Sequence, residues 1–321
     1  MLLRNAAPPC ARPPARSCKA EAMQSARIIW HNGEFKSWQE FAADSFACFA
    51  FADSCVTETV SGRLNAEGSM VLFRAKDHAK RFIRSAKTCL MELPYEPKKL
   101  ADAAKKLLQK SLDEKEDAAE CLLEMRAFDA PDQVHVIMQC WPLADFSQDS
   151  ASLSVSVGVS AWRRSLEFDV LHQAFAAPAR MEQKLMRSEV RQRGLDEPIV
   201  LNVQGRVTDA AGPAVFAVRC GVLSTPPLAD GPAESIARDS VLHLALDLEI
   251  PMVEESVTRT DLYMADELFL VSDEEGILPV HSVDGRVIAA VNEYGPVTRL
   301  IAERLEAAQR GEHPNYISWI S

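Results

Sequence analysis

Apolar positions divide the first half of the chain into strands and helices. An apolar run at 27–30 leads into Asn-Gly at 32–33, and these two residue types tolerate the positive φ angles of a two-residue hairpin turn. At 81–93 the apolar residues recur at helical spacing, which predicts an amphipathic helix. A second, charged helix is predicted at 100–123, with a break left open near Ser111, and a buried strand is predicted at 134–141.

The second half of the chain predicts strands mixed with helices. Apolar runs predict strands at 153–162 and 268–271, and residues 199–201 and 215–218 are predicted to pair as a hairpin around Gly205. Strands mixed with helices and antiparallel hairpins indicate an α/β (mixed α+β) fold. Helical spacing predicts further helices at 180–194, 235–248 and 296–309.

The composition is that of an acidic globular protein. Its 321 residues suffice for one large domain or two ordinary ones. The net charge of −11 argues against binding to nucleic acid or to an anionic membrane surface, because both demand a basic face. No apolar run approaches the roughly 18 residues of a transmembrane helix. Eight cysteines without a C-x-x-C pair predict free thiols in a reducing cytoplasm rather than a metal site.

The first 22 residues differ from the rest of the chain. They hold three arginines, one lysine, four prolines and one acid, and they lack the apolar core of a secretory signal. Arginine with few acids leaves import into an organelle open, although the prolines disfavour an amphipathic helix. We expect residues 1–22 to be a disordered tail or a mis-called start upstream of Met23, and the protein to be cytoplasmic.

Four stretches of the sequence resemble branched-chain amino acid aminotransferases, which are class IV aminotransferases of pyridoxal phosphate fold type IV. They follow the family's order at nearly its spacing and cover much of residues 24–321. The stretches begin with IIWHNGEF, VLFRAKDHAKRFIRSAKTCLMELPY, GLDEPIVLNVQGRV and GPVTRLIAERLEAAQRG, and they occupy 28–35, 71–95, 194–288 and 295–311.

The resemblance implies a two-domain organisation. A smaller N-terminal α/β domain is expected at 23–145, an interdomain linker at 146–152 and a larger C-terminal domain at 153–321. In the family the cleft between the two domains holds pyridoxal phosphate, and the chains pair as homodimers. We therefore expect a homodimer here, or pairing with an active paralogue.

The resemblance also implies that the catalytic lysine is lost. In the family this lysine forms a Schiff base with the cofactor and shuttles the α-proton of the substrate. By the family's spacing it lies thirteen residues after Trp162 and nineteen before Gly194, and both counts reach Phe175. Lys184 lies nine residues further on, inside a predicted helix, and is the candidate for a displaced lysine.

The phosphate cup of the family is matched only in part. Arg81 aligns with the arginine of the cup. A carboxylate about 4 Å from a phosphate dianion repels it by several kcal/mol at an effective dielectric near 20, whereas a lost hydroxyl donor costs about 1 kcal/mol. We therefore expect no bound cofactor, and we expect Arg81 to pair with Asp273 first and with Glu274 second. The family's Gly-Ile-Thr and Gly-Thr-Ala motifs are replaced here by Ser235-Ile236-Ala237, after Glu234, and by Ser272-Asp273-Glu274.

The remaining family positions have changed as well. Asp209 aligns with the glutamate that pairs with the pyridine nitrogen, and Arg180 with a tyrosine five residues after the lysine. On the substrate side, Ala52 aligns with a tyrosine, and Glu58 lies in the segment that aligns with a turn of the family.

Three functions remain open at this point. The first is a branched-chain aminotransferase-like protein that has lost catalysis and serves in binding, scaffolding or regulation. The second is an active pyridoxal phosphate-dependent branched-chain transaminase with a displaced lysine. The third is an enzyme that works without the cofactor in the same cleft, with acid, base and anion-binding groups supplied by Glu58, Arg81, Arg180, Asp209 and Asp273.

Overall fold

A computed structural model describes most of the chain. The described residues are 28–41, 55–112, 120–130, 133–143, 154–164, 176–289 and 293–321. The predictions for residues 1–22, for the linker at 146–152, for Ala52 and for Phe175 lie outside these ranges. The predicted domain boundaries therefore stay predictions. Below, the N-terminal part means residues 28–143 and the C-terminal part residues 154–321.

Six strands of the N-terminal part form one antiparallel sheet in the order β2-β1-β6-β5-β3-β4. Helices α1 (Ala75–Thr88) and α2 (Pro97–Leu112) pack against this sheet and against each other. Asn32 and Gly33 have φ angles of 47° and 103°, as the predicted hairpin requires. The strands are β1 (Ile28–His31), β2 (Glu34–Ser37), β3 (Cys55–Leu64), β4 (Met70–Leu72), β5 (Glu120–Asp129) and β6 (Val134–Leu143).

Strand β3 brings a charged residue into the N-terminal core. Its side chains alternate between a half-buried and a buried face, since successive residues of a strand point to opposite sides of the sheet. Val56, Glu58 and Val60 share the buried face, so the carboxylate of Glu58 lies among apolar neighbours. A buried carboxylate needs a partner of opposite charge.

The C-terminal part contains a larger mixed sheet in the order β11-β10-β9-β12-β13-β7-β8, with β14 paired to β13. Its central strands β9 and β12 are buried almost throughout, which is typical of a sheet covered on both faces. The strands are β7 (Val155–Arg164), β8 (Glu197–Asn202), β9 (Ala214–Arg219), β10 (Val222–Thr225), β11 (Met252–Glu254), β12 (Glu267–Ser272), β13 (Gly276–Val283) and β14 (Arg286–Val287).

Helices of the C-terminal part pack against this sheet. Helix α3 (Ala176–Gln192) contacts β7 and β8, whereas α4 (Ile236–Asp247) and α6 (Pro296–Gln309) contact each other and β12. The short helix α5 (Arg259–Tyr263) lies between β11 and β12 in the chain. None of the described helices is long and apolar enough to cross a membrane.

Residues of the C-terminal segment contact the N-terminal part. Ser321 exchanges two backbone hydrogen bonds with Leu72 of β4, at 3.0 and 3.2 Å. The guanidinium of Arg74 lies 4.7 Å from the ring centre of Trp319 and donates to Asp239 of α4 at 2.6 Å. Arg74 precedes α1, so these contacts fix the start of α1 against the C-terminal part.

The predicted fold class is confirmed, but two of the predicted elements are wrong. Residues 199–201 and 215–218 do not form a hairpin, because β8 pairs with β7 in parallel and β9 pairs with β10 and β12. The continuous burial of β8 suits parallel pairing rather than a half-exposed hairpin. The helix predicted at 100–123 ends at Leu112, next to the break left open near Ser111, and β5 begins at Glu120, where the prediction continued the helix. A short apolar run such as 121–123 does not distinguish helix from strand by periodicity.

Candidate active site

Two ionisable side chains lie on one face of helix α1. His78 and Arg81 are three residues apart, a spacing that makes side chains neighbours on a helix surface. Both reach Glu58 on β3: the side chain of His78 is fully buried, and those of Arg81 and Glu58 are 20% and 3% exposed. Asp273, from the C-terminal part, lies 3.7 Å from both His78 and Arg81. We call Glu58, His78, Arg81 and Asp273 the cup cluster.

Glu58 is the main partner of Arg81. The guanidinium donates from Nε to Oε2 at 2.8 Å and from Nη2 to Oε1 at 2.5 Å, which is a bidentate ion pair. Burial alone would raise the pKa of Glu58, but the charge of Arg81 and the hydrogen bond from His78 outweigh it and lower that pKa. The same pairing overcomes the desolvation of Arg81 and raises its pKa. Both groups are therefore charged.

His78 bonds to the same carboxylate. Its Nδ1 lies 2.5 Å from Oε1 of Glu58. An ionised carboxylate only accepts hydrogen bonds, so Nδ1 carries the proton and donates it to Glu58. The other ring nitrogen, Nε2, is buried and has no hydrogen-bond partner among the described residues. It faces Oδ1 of Asp273 at 3.7 Å.

Asp273 lies in the turn between β12 and β13, and its side chain is 13% exposed. Its Oδ2 is 3.7 Å from Nη2 of Arg81, beyond hydrogen-bond distance. Burial raises the pKa of Asp273, and the attraction of His78 and Arg81 does not fully offset that rise. The cup cluster thus contains one guanidinium and two carboxyl groups. The carboxyl group of Glu58 is the one that bonds to the guanidinium.

The start of α4 lies beside this cluster. Arg81 donates from Nη1 to the backbone oxygen of Glu234 at 2.9 Å, and Arg84 donates to the Glu234 side chain at 2.8 Å. Ser235 caps α4, because its hydroxyl accepts from the backbone N–H of Arg238 at 3.0 Å. The next two residues, Ile236 and Ala237, are buried apolar side chains. The N-terminus of α4 is thus capped by Ser235, and the acidic residue Glu234 lies beside it.

The structure changes the partner predicted for Arg81. Asp273 was expected to be the first partner, but Glu58 makes both short contacts and Asp273 is the more distant carboxylate. Glu58 was assigned to the substrate side, and here it lies in the cup cluster. Glu274, the second expected partner, is exposed, and Ser272 accepts a hydrogen bond from the backbone of Glu275 within the turn. Sequence reasoning also gave no role to His78.

Asp209 belongs to a separate buried ion pair. Nη1 of Arg164, on β7, donates to Oδ2 of Asp209 at 2.6 Å, and the two side chains are 6% and 1% exposed. The other carboxylate oxygen of Asp209 accepts from the backbone N–H of Ala211 at 3.0 Å. Sequence reasoning missed Arg164, whose only signal was a charged residue near the end of an apolar strand.

The described lysines are exposed or half-buried. Lys184 is the only lysine after Lys115, and it is exposed on α3. Among the described residues, every other lysine is exposed except Lys36, which is half-buried. Arg180 falls in the first turns of α3.

The fold and the sequence match known proteins over almost the whole chain. The family described as amino-transferase class IV matches residues 56–283. The chain belongs to this family. It is 27% identical to the branched-chain-amino-acid aminotransferase of Escherichia coli (strain K12) over 308 residues, which cover 92% of this chain and 97% of that protein.

Solved structures agree with this membership of the class IV family. The branched-chain aminotransferase of Thermoproteus uzoniensis, solved with norvaline, has a TM-score of 0.81 and 30% identity, covering 92% of this chain and 99% of that one. The T.th. branched-chain amino acid aminotransferase with pyridoxamine 5'-phosphate has a TM-score of 0.83 and 27% identity, covering 92% and 98%. Fold type IV is thereby confirmed.

The expectation of no cofactor is wrong for this family. The T.th. relative was solved with pyridoxamine 5'-phosphate and in complex with N-(5'-phosphopyridoxyl)-L-glutamate, and the family cofactor is pyridoxal phosphate. The cup cluster as arranged does not match the phosphate group of that cofactor. Arg81 already donates to Glu58 and to the backbone oxygen of Glu234, and a phosphate at Arg81 would face the carboxyl groups of Glu58 and Asp273.

Proposed function

We propose that this chain is a class IV aminotransferase-family protein that does not catalyse transamination. One observation carries the proposal: the C-terminal part has a single lysine, Lys184, and that lysine is exposed. In the family's chemistry a lysine amine forms the Schiff base and moves the α-proton of the substrate. A protein without that amine in its cleft lacks both functions.

The geometry of α3 directs Lys184 away from the protein interior. Met186 and Val190 form the buried side of this helix, and both are fully buried. At about 100° per residue, they lie about 200° and 240° around the helix from Lys184. The ammonium of Lys184 therefore points to the side opposite the packed face. The count that places Phe175 at the family's lysine position supports the same conclusion.

The described side chains favour a structural role for the charged groups of the cleft. Glu58, His78 and Arg81 come from the N-terminal part, and Asp273 and Glu234 come from the C-terminal part. These groups bond or face one another, so the charges at the cleft connect the two parts. We propose that the protein acts by binding or scaffolding, alone or beside an active paralogue.

A transaminase assay tests the proposal. The purified chain, supplied with saturating pyridoxal phosphate, is given leucine, isoleucine or valine with 2-oxoglutarate, and the E. coli enzyme serves as the positive control. We expect no glutamate formation above the rate of pyridoxal phosphate alone. Turnover that Lys184→Ala abolishes would establish the transaminase with a displaced lysine. Turnover of another substrate without the cofactor would establish an unrelated enzyme.

We further propose that the chain forms homodimers. Large apolar side chains are exposed on the neighbouring elements β7 and α3, among them Trp162, Met181 and Leu185, which are 51%, 58% and 43% exposed. Such residues on a surface favour association. Light scattering should give twice the mass of one chain at micromolar concentration, and the mass of one chain would contradict the dimer.

A further inference from the structure

The contact between His78 and Asp273 lacks a hydrogen atom when the ring of His78 is neutral and Asp273 is ionised. Nδ1 of His78 donates to Glu58, so the neutral ring presents only a lone pair at Nε2. An ionised Asp273 presents only lone pairs at Oδ1. Two acceptors then face each other at 3.7 Å, and no hydrogen bond joins them. One added proton, on either atom, converts this contact into a donor–acceptor pair.

The charges around Asp273 favour uptake of such a proton. Four ionisable groups act on the charge of Asp273: Glu58 from β3, His78 and Arg81 from α1, and Glu274 from the same turn. Glu58 already neutralises Arg81 through two hydrogen bonds. The ionised carboxyl of Asp273 is therefore an excess negative charge in a mostly buried place, and a proton removes that excess.

We propose that one proton, held between Nε2 of His78 and Oδ1 of Asp273, closes a latch between the two parts of the chain. His78 belongs to α1 in the N-terminal part, and Asp273 belongs to the turn after β12 in the C-terminal part. With the proton, a hydrogen bond crosses the cleft beside Arg81. Without it, the two groups repel each other and the cleft loosens there.

The direction of the pH effect follows from the burial of Asp273. Burial raises the pKa of this carboxyl group above its ordinary value near 4. A group whose folded-state pKa is raised contributes stability that is complete below its unfolded pKa and is lost as the pH rises through the folded pKa. The latch is therefore closed in acid and opens as the pH rises. Glu58, whose pKa is lowered, stays ionised across this range.

Asp273→Asn tests the latch, because asparagine has the shape of the aspartic acid side chain and carries no titrating proton. Its amide can donate to Nε2 of His78 at every pH. We expect the variant to melt about 2–4 °C above the parent at pH 8, and the difference to shrink as the pH is lowered. Hydrogen exchange in α1 and in the 272–275 turn should be slower in the variant at pH 8, and this difference should also shrink in acid.

Glu234→Gln is the matched control. It removes an acid at the same cleft, but one that pairs with the exposed Arg84 and leaves His78 and Asp273 in place. We expect its difference from the parent to be the same at pH 5 and pH 8. A difference between Asp273→Asn and the parent that does not change with pH would overturn the latch.

Nitrogen-15 spectra of the histidine rings provide a test that needs no stable variant. The Nε2 signal of the parent's His78, assigned by its loss in His78→Gln, should move from the unprotonated toward the hydrogen-bonded range as the pH falls from 8 to 5. A His78 signal that stays unprotonated and unshifted throughout would also overturn the latch.

Discussion

Two arginines of the candidate site pair with buried carboxylates, but their surroundings differ. Arg164 donates to Asp209 at 2.6 Å, and these two side chains are almost fully buried. Arg81 bonds Glu58 through two contacts and is itself 20% exposed, and a second carboxyl group, Asp273, lies 3.7 Å away. The contacts described above thus place one carboxyl group beside Arg164 and two beside Arg81.

The two sites differ in how many carboxyl groups lie beside the arginine, and this number bears on how the site of Arg81 responds to pH. An extra buried acid has no cation of its own and takes up a proton before its exposed counterparts do. Asparagine at Asp209 and asparagine at Asp273 should therefore act in opposite directions, and the predictions below test that contrast.

The largest effect is expected for Glu58→Gln. The substitution removes the charge that Arg81 bonds through two contacts, and it weakens the acceptor of His78. Leaving a buried arginine without its anion costs about 3–5 kcal/mol, so the free energy of unfolding in urea should fall by that amount. A fall below about 1 kcal/mol would show that Asp273 replaces Glu58 as the partner of Arg81.

Glu120→Gln is the control for that experiment. Glu120 pairs with Arg63 at 2.5 Å within the same sheet. The two arginines are equally exposed, at 20%, but Glu120 is 25% exposed and Glu58 only 3%. Partly exposed pairs contribute about 1 kcal/mol or less, and the loss should be of that size. An equal loss of unfolding free energy in both variants would contradict the view that the burial of Glu58 makes its pair with Arg81 the more stabilising one.

Asp209→Asn should destabilise the protein by about 3 kcal/mol, because Arg164 then remains buried with an uncharged partner. The loss is measured by urea unfolding at pH 8. Asp273→Asn should stabilise the protein at pH 8 and have little effect in acid. If both substitutions destabilise it at pH 8, the extra acid in the cup cluster is not a source of repulsion.

The smallest effect is expected for Lys184→Arg. The side chain is exposed on the outer side of α3, and arginine keeps its charge and its helix preference. The melting temperature and the absorbance spectrum with added pyridoxal phosphate should equal those of the parent. A spectral change would indicate that the Lys184 amine reaches the cofactor.

Sequence reasoning succeeded where the cause is local. The hairpin at Asn32-Gly33 and the helix at 296–309 each depend on neighbouring residues, and the structure has both. The bidentate partner of Arg81 depends on which face of β3 a residue occupies, and Glu58 lies 23 residues earlier in the chain. One signal was present: an acid at the position where the alternation of β3 requires an apolar residue.

The Arg164–Asp209 pair could not be predicted from the sequence for a similar reason. The two residues are 45 positions apart and lie on different elements. Their contact follows from parallel pairing of β7 and β8, which places the end of β7 beside the segment that follows β8. A prediction that treated 199–201 and 215–218 as a hairpin could not have placed Asp209 beside β7.

Reduction with borohydride tests most directly whether the cleft has a catalytic lysine. The purified chain is incubated with pyridoxal phosphate, reduced, digested and mapped by mass spectrometry, alongside a Phe175→Lys variant and the E. coli enzyme. We predict that the parent shows no site-specific phosphopyridoxyl-lysine, and that the E. coli enzyme labels fully at one lysine. Stoichiometric labelling of one lysine in the parent, at Lys184 or elsewhere, would contradict the proposal that this protein has lost transamination.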